Sequence, residues 1–151
     1  RFPDLRRAMA FVPYLMFPGH AAEAFAAYAD IFGGTVESSR FSDVPPGSGM
    51  PALPQEQMGW ILHAQLDTPD GARLMGSDAP PQFADPTEPN GQVQSGVSVA
   101  VSRPDEGAAR ALFDRLAEGG TATMPFGPTF FAKGFGMCRD RFGTHWMVSV
   151  G

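Results

Sequence analysis

Apolar and polar positions alternate over short stretches of this chain, and they take up helical spacing in only two places. "VPYLMF" (12–17), the stretches at about 36–41, 59–66 and 72–77, then "GVSVAV" (96–101), 122–126, 134–139 and 145–150 read as strands. A first helix is predicted over about 21–32, with Phe25, Tyr28, Ile31 and Phe32 as its apolar stripe and Gly33-Gly34 as its stop. A second follows Pro104, with Asp105 and Glu106 complementing its dipole, and is stopped by Gly119-Gly120. Leu112, Phe113 and Leu116 supply its stripe.

The pattern is written twice. Gly33-Gly34-Thr35 matches Gly119-Gly120-Thr121 at an offset of 86 residues, each preceded by a strand and a helix and followed by three strands. The predicted class is α+β: two tandem βαβββ modules, one helix to each. One domain is expected over 11–150, with module 1 at about 11–78, a linker at 79–93 and module 2 at about 94–150. Residues 1–10 read as an N-terminal extension or remnant, and the proline- and glycine-rich 42–58 as a long loop.

One helix per module covers one face of the sheet and leaves the other to be explained. The helix-packed face is predicted to hold Val12, Tyr14 and Met16; Trp60, Leu62 and Leu66; Val97, Val99 and Val101; and Trp146, Val148 and Val150. The opposite face then holds Pro13, Leu15 and Phe17; Ile61, His63 and Gln65; Arg73, Met75 and Ser77; Ser98 and Ala100; and His145, Met147 and Ser149. That mixture is neither a clean core nor a charged surface, and it reads as the lining of a half-apolar pocket.

Composition narrows the partners. The formal charge is −5 and the one basic cluster is Arg6-Arg7, so nucleic acid is not expected. No apolar run approaches the ~20 residues that cross a bilayer, and the first residues lack the apolar segment of a signal peptide. A single cysteine, Cys138, excludes an intramolecular disulfide and a multi-cysteine zinc site, which fits a reducing, cytoplasmic setting. Cys138 has no neighbouring base in sequence and reads as a small buried side chain.

The segments "YLMFPGHAAEAFAAYADIFGG", "LHAQL", "LMGSDA" and "TFFAKGFGMCRDRFGTHWMVSV" resemble the PhnB-like branch of the vicinal oxygen chelate superfamily, across about 11–150. That superfamily includes glyoxalase I, extradiol dioxygenases and bleomycin-resistance proteins. The branch is often named for a demethylubiquinone methyltransferase, yet the chain has no glycine-rich loop followed by an acidic residue at a second strand end. The resemblance implies that the two βαβββ modules form a curved mixed sheet around a pocket, with the helices on the outer face. It also implies a homodimer, and relatives hold a metal in that pocket with His and Glu from the first and last strands of each half. Carried onto this chain, those positions fall on Pro13, about Met75, near Gly96 and on Met147. None offers an imidazole or carboxylate, so no metal and no other cofactor is expected.

The remaining candidates are a pocket-face set: Leu15, Phe17, His63, Gln65, Met75, Ser77, Ser98, Phe131, His145, Met147 and Ser149. His63 and His145 could move protons or bind a displaced metal, or simply hydrogen-bond neighbouring strands. Met75 and Met147 read equally as adaptable walls and as packing. His20 falls in the capping region of the first helix, Asp140 in a turn and Asp78 at a strand end. Trp60 is expected in the core, and Phe131, beside Phe130, at a pocket mouth. No catalytic residue is assigned. The expected function is binding of a small molecule without a metal. A metal-dependent glyoxalase-type lyase, isomerase or dioxygenase is the first alternative, and a structural or regulatory dimerisation module the second.

Overall fold

The computed structural model describes residues 11–49, 52–83 and 96–151. The first module runs β1 (Tyr14–Phe17), α1 (Ala21–Phe32), β2 (Thr35–Arg40), β3 (Ile61–Asp67) and β4 (Arg73–Asp78). The second runs β5 (Val99–Arg103), α2 (Glu106–Ala117), β6 (Thr121–Gly127), β7 (Phe135–Arg139) and β8 (His145–Val150). This is the strand, helix and three strands expected from the pattern, twice over. The strands form two four-stranded mixed sheets, ordered β1-β4-β3-β2 and β5-β8-β7-β6. In each, the first and last strands of the module pair in parallel and the remaining neighbours antiparallel.

The two copies differ between their second and third strands. The offset is 86 at the starts of β2 and β6 (Thr35, Thr121) and 72 at the starts of β4 and β8 (Arg73, His145). Most of the shortfall lies between β2 and β3, where the offset has fallen to 74 by the starts of β3 and β7 (Ile61, Phe135); that segment carries 3-10 turns at Phe41–Asp43 and Gln55–Gln57. Most of the expected linker, from residue 84 onward, and the extension 1–10 lie outside the described residues.

Both helices share one core. Phe25 and Tyr28 of α1, Leu112, Phe113 and Leu116 of α2, Leu66 of the first sheet and Trp146 and Val148 of the second belong to a single buried cluster. α1 reaches across to the second sheet, with the Tyr28 and Phe32 rings 5.5 and 5.4 Å from Trp146. At the surface Arg115 binds Asp30 at 2.8 Å and joins the two helices, a contact worth under ~1 kcal/mol because water screens it.

The same tight turn links helix to strand in both copies. A Cβ at Gly34 would lie 2.1 Å from the Asp67 carbonyl oxygen, and one at Gly120 would lie 2.2 Å from that of Arg139. The double glycine therefore recurs for a steric reason as well as a conformational one. No described helix is long and apolar enough to cross a membrane.

The face assignment of β1 is reversed relative to expectation. Leu15 and Phe17 are buried against α1, with Phe17 edge-on to Phe25 at 6.4 Å, while Tyr14 and Met16 face outward and are 43% and 40% exposed. Ile61 also joins the core, just beyond the register shift at Ser39/Arg40 that re-aims the start of β3. Trp60 is half-buried outside the core cluster, with its six-membered ring against Gly19. Leu66, Val99, Val101, Trp146, Val148 and Val150 lie on the helix side, as their alternation predicts.

Candidate functional site

The open face of the first sheet is built from β1, β4, β3 and β2. Pairing sets Tyr14 beside Met75, Met75 beside Gln65 and Gln65 beside Glu37, and it sets Met16 beside Ser77 and His63 beside Ser39. Tyr14 Oη lies 3.1 Å from His63 Nδ1, and the two rings stack with centroids 5.7 Å apart. With the phenol donating, Nδ1 is the accepting nitrogen and the ring proton sits on Nε2. In that arrangement His63 presents Nε2–H as a donor beside the half-exposed Tyr14 ring; with Nδ1 donating to the phenol oxygen it presents Nε2 as an acceptor. Ser77 donates to the Met16 sulfur at 3.4 Å, and the Gln65 amide donates to Asp67 at 2.8 Å. Tyr14 was missing from the pocket-face set because every position of 12–17 is apolar or nearly so. Its hydroxyl, between the wholly apolar Leu15 and Phe17 phase, is the one mark of the open side.

The second sheet's open face carries His145, Met147 and Ser149, as the alternation of β8 predicts. Met147 pairs with Ala100 on one side and Met137 on the other, and Met137 pairs with Met124, so three thioethers cross three strands. His145 lies opposite Arg139 and Ser149 opposite Phe135. Phe131 packs edge-on against Phe135 at 5.1 Å, which brings it to the Ser149 end of this face. Ser98 lies just before β5, half-buried.

Within one chain the two sets stay apart. His63, Gln65, Met75 and Ser77 sit on the first sheet, and His145, Met147 and Ser149 on the second. No hydrogen bond or ring contact among the described residues joins Tyr14 or His63 to His145. Leu15 and Phe17, placed in the pocket lining by sequence, point into the core instead.

The metal-site positions of the superfamily do not fit a hard or borderline cation. Pro13 leads into β1, with its carbonyl accepting from Met75 N at 3.0 Å; Gly96 lies ahead of β5; Met75 and Met147 occupy the two open faces. Two thioethers, a proline and a glycine supply neither imidazole nor carboxylate. Among the described residues no three His, Cys, Asp or Glu side chains converge on a common point.

The buried carboxylates hold structure in place. Asp78 Oδ1 accepts from Gly19 N (3.0 Å) and Ala21 N (2.9 Å), and its Oδ2 from Ile61 N (2.9 Å). It therefore caps α1 from across the sheet, while His20, at the N-cap position, makes no cap bond and pairs its Nε2 with the Phe142 carbonyl at 3.2 Å. Asp140 closes the β7–β8 turn, its Oδ1 accepting from Phe142 N and Thr144 N. Its Oδ2 takes the Tyr28 hydroxyl at 2.6 Å and Trp146 Nε1 at 2.9 Å. Burial first, and then the Asp140 carboxylate, pushes the Tyr28 phenol far above its usual range. The same two causes push the Cys138 thiol up to about 11, which leaves it protonated and unreactive near neutrality.

The comparisons agree with this architecture. Protein YjdN of Escherichia coli strain K12 is 30% identical over 149 residues, spanning 94% of this chain and 95% of that protein. Protein PA1353 of Pseudomonas aeruginosa superposes with a TM-score of 0.78 at 40% identity, covering 93% of this chain and 96% of its own. A PhnB protein of Bacillus cereus gives 0.70 at 26% identity, over 93% and 98% of the two chains. A glyoxylase/bleomycin resistance protein/dioxygenase domain of a Frankia species shares the fold, with a TM-score of 0.60 at 15% identity over 94% and 96%. The family model described as 3-demethylubiquinone-9 3-methyltransferase matches residues 9–149, and the chain belongs to that PhnB-like family.

Proposed function

We propose that residues 11–150 act as one small-molecule-binding domain whose ligand rests on the open face of the first sheet and is oriented by His63, without a resident metal. The Tyr14–His63 pair, with the phenol donating, carries the reading: a fixed N–H donor beside Met16, Met75, Ser39 and Ser77 on an open face suits a ligand with an apolar body and one acceptor atom. The His145, Met147 and Ser149 face, on the other sheet, has the same character. A homodimer in which the first sheet of one copy faces the second sheet of another would bring both sets onto one ligand. The single buried cysteine suits a reducing, cytoplasmic setting.

The test is a thermal-stability screen of a metabolite library on the native protein, repeated on Tyr14→Phe and His63→Ala. A ligand of the wild type should lose about tenfold or more in affinity in His63→Ala. Tyr14→Phe should lose less and change the His63 ring ¹⁵N shifts. Sedimentation should report a dimer. Near-stoichiometric bound metal that vanishes in a His63→Ala, His145→Ala double variant would replace this reading with a glyoxalase-type metalloenzyme.

A further inference from the structure

A crevice of about 390 Å³ runs along the seam between the two modules, beside the ends of both open faces. That volume falls within the range of small-molecule sites. Leu66 and Leu74 of the first sheet form one wall, Val99, Val101 and Trp146 of the second form the other, and Phe32 of α1 closes one end. One charged side chain enters the lining, Arg73. Its Nε donates to Asp67 Oδ1 at 2.7 Å, and its two terminal nitrogens have no hydrogen-bond partner among the described residues. The Asp67 carboxylate is already engaged on both oxygens, since Oδ2 accepts from Gln65. At the mouth, Arg103 lies over the Phe32 ring at 5.9 Å and Asp70 sits in the turn between Thr68 and Gly71. Among the described residues the rim is therefore charge-balanced, two cations against two anions.

We propose that this seam binds a flat, uncharged aromatic molecule bearing one hydrogen-bond acceptor, such as an aryl ketone. The aromatic body lies against Trp146, Phe32 and the aliphatic walls, and the acceptor oxygen takes a terminal N–H of Arg73. Charge selects the neutral form. A carboxylate on the free nitrogens of Arg73 would come close to the Asp67 carboxylate and would also lose its hydration. A cation would have to settle beside the positive charges of Arg73 and Arg103. A hydrocarbon of the same shape fills the walls but leaves the guanidinium without its acceptor.

The experiment titrates 2-acetonaphthone, 2-naphthoate and naphthalene into the full chain and follows the methyl NMR signals of leucine, valine and methionine. Saturable binding of 2-acetonaphthone is expected, with the largest shifts at Leu66, Leu74, Val99 and Val101. Naphthoate should bind at least about tenfold more weakly. Arg73→Gln, checked for native near-UV dichroism, should bring 2-acetonaphthone down to the affinity of naphthalene. If that variant does not fold, Val99→Phe, in the wall of the crevice, should block the ketone instead. Absence of saturable binding, naphthoate binding as tightly as the ketone, shifts centred on Met75 or Met147, or unchanged affinity in both variants would each overturn the proposal.

Discussion

At Asp140 four donors converge on one buried carboxylate, two of them backbone N–H groups and two the polar tips of Tyr28 and Trp146. Removing it strands Thr144 N and Trp146 Nε1 in the core, frees Phe142 N and leaves Tyr28 only the Thr144 hydroxyl, at 2.9 Å. Asp140→Ala should cost about 3–5 kcal/mol in urea unfolding. Asp140→Asn should cost about 1–3, because its NH₂ must turn toward a donor. The neighbouring thiol gives a pH signature. Its folded value of about 11 lies above the unfolded value of 9.0, so its stabilising contribution is complete below about 9 and disappears as pH rises through about 11. Unfolding free energy measured across that window should fall with pH and fall less in Cys138→Ala. The loss that remains above about 10 belongs to Tyr28, whose phenol is raised in the same direction.

Among the elements, β8 and β1 show when a strand's faces can be read. In β8 one phase is Trp146, Val148 and Val150 and the other is His145, Met147 and Ser149, so side-chain chemistry separates the two sides. In β1 both phases are apolar and period 2 fixes no orientation; the packing of Phe17 on Phe25 decides it. Ile61 escaped for a related reason, since a register shift on the paired strand breaks the strict alternation. The turns after the helices were legible because their glycines serve a geometric need. Gly34→Ala combines a φ of 105° with a Cβ only 2.1 Å from a carbonyl oxygen, whereas Gly47→Ala meets a φ of 80° in open space. The first should lose about 3 kcal/mol or more by chemical denaturation, the second about 1.

For the whole molecule, repeat count and element order were written in the sequence, because duplication and periodicity are local signals. The strand bounds were less so, since β5 starts at Val99 and leaves Val97, expected on the helix-packed face, 71% exposed ahead of it. The way the modules meet was not. It depends on Tyr28 and Phe32 of one module reaching Trp146 and Asp140 of the other, contacts more than 100 residues apart in the chain. The candidate site was half legible for the same reason: its residue types could be named, but whether they share one cavity is decided by module packing. The capping aspartates carry a further consequence, for the order of assembly. α2 has a local start signal, Asp105 Oδ1 accepting from Ala108 N at 2.7 Å, whereas α1 waits for Asp78, 57 positions beyond Ala21. A loop of that length closes late. In folding kinetics Asp105→Ala should slow refolding, and Asp78→Ala should chiefly speed unfolding; the opposite partition would make the first module the nucleus. The expected partition would have two copies of one architecture assemble on different schedules, the second half serving as the template on which the first is completed.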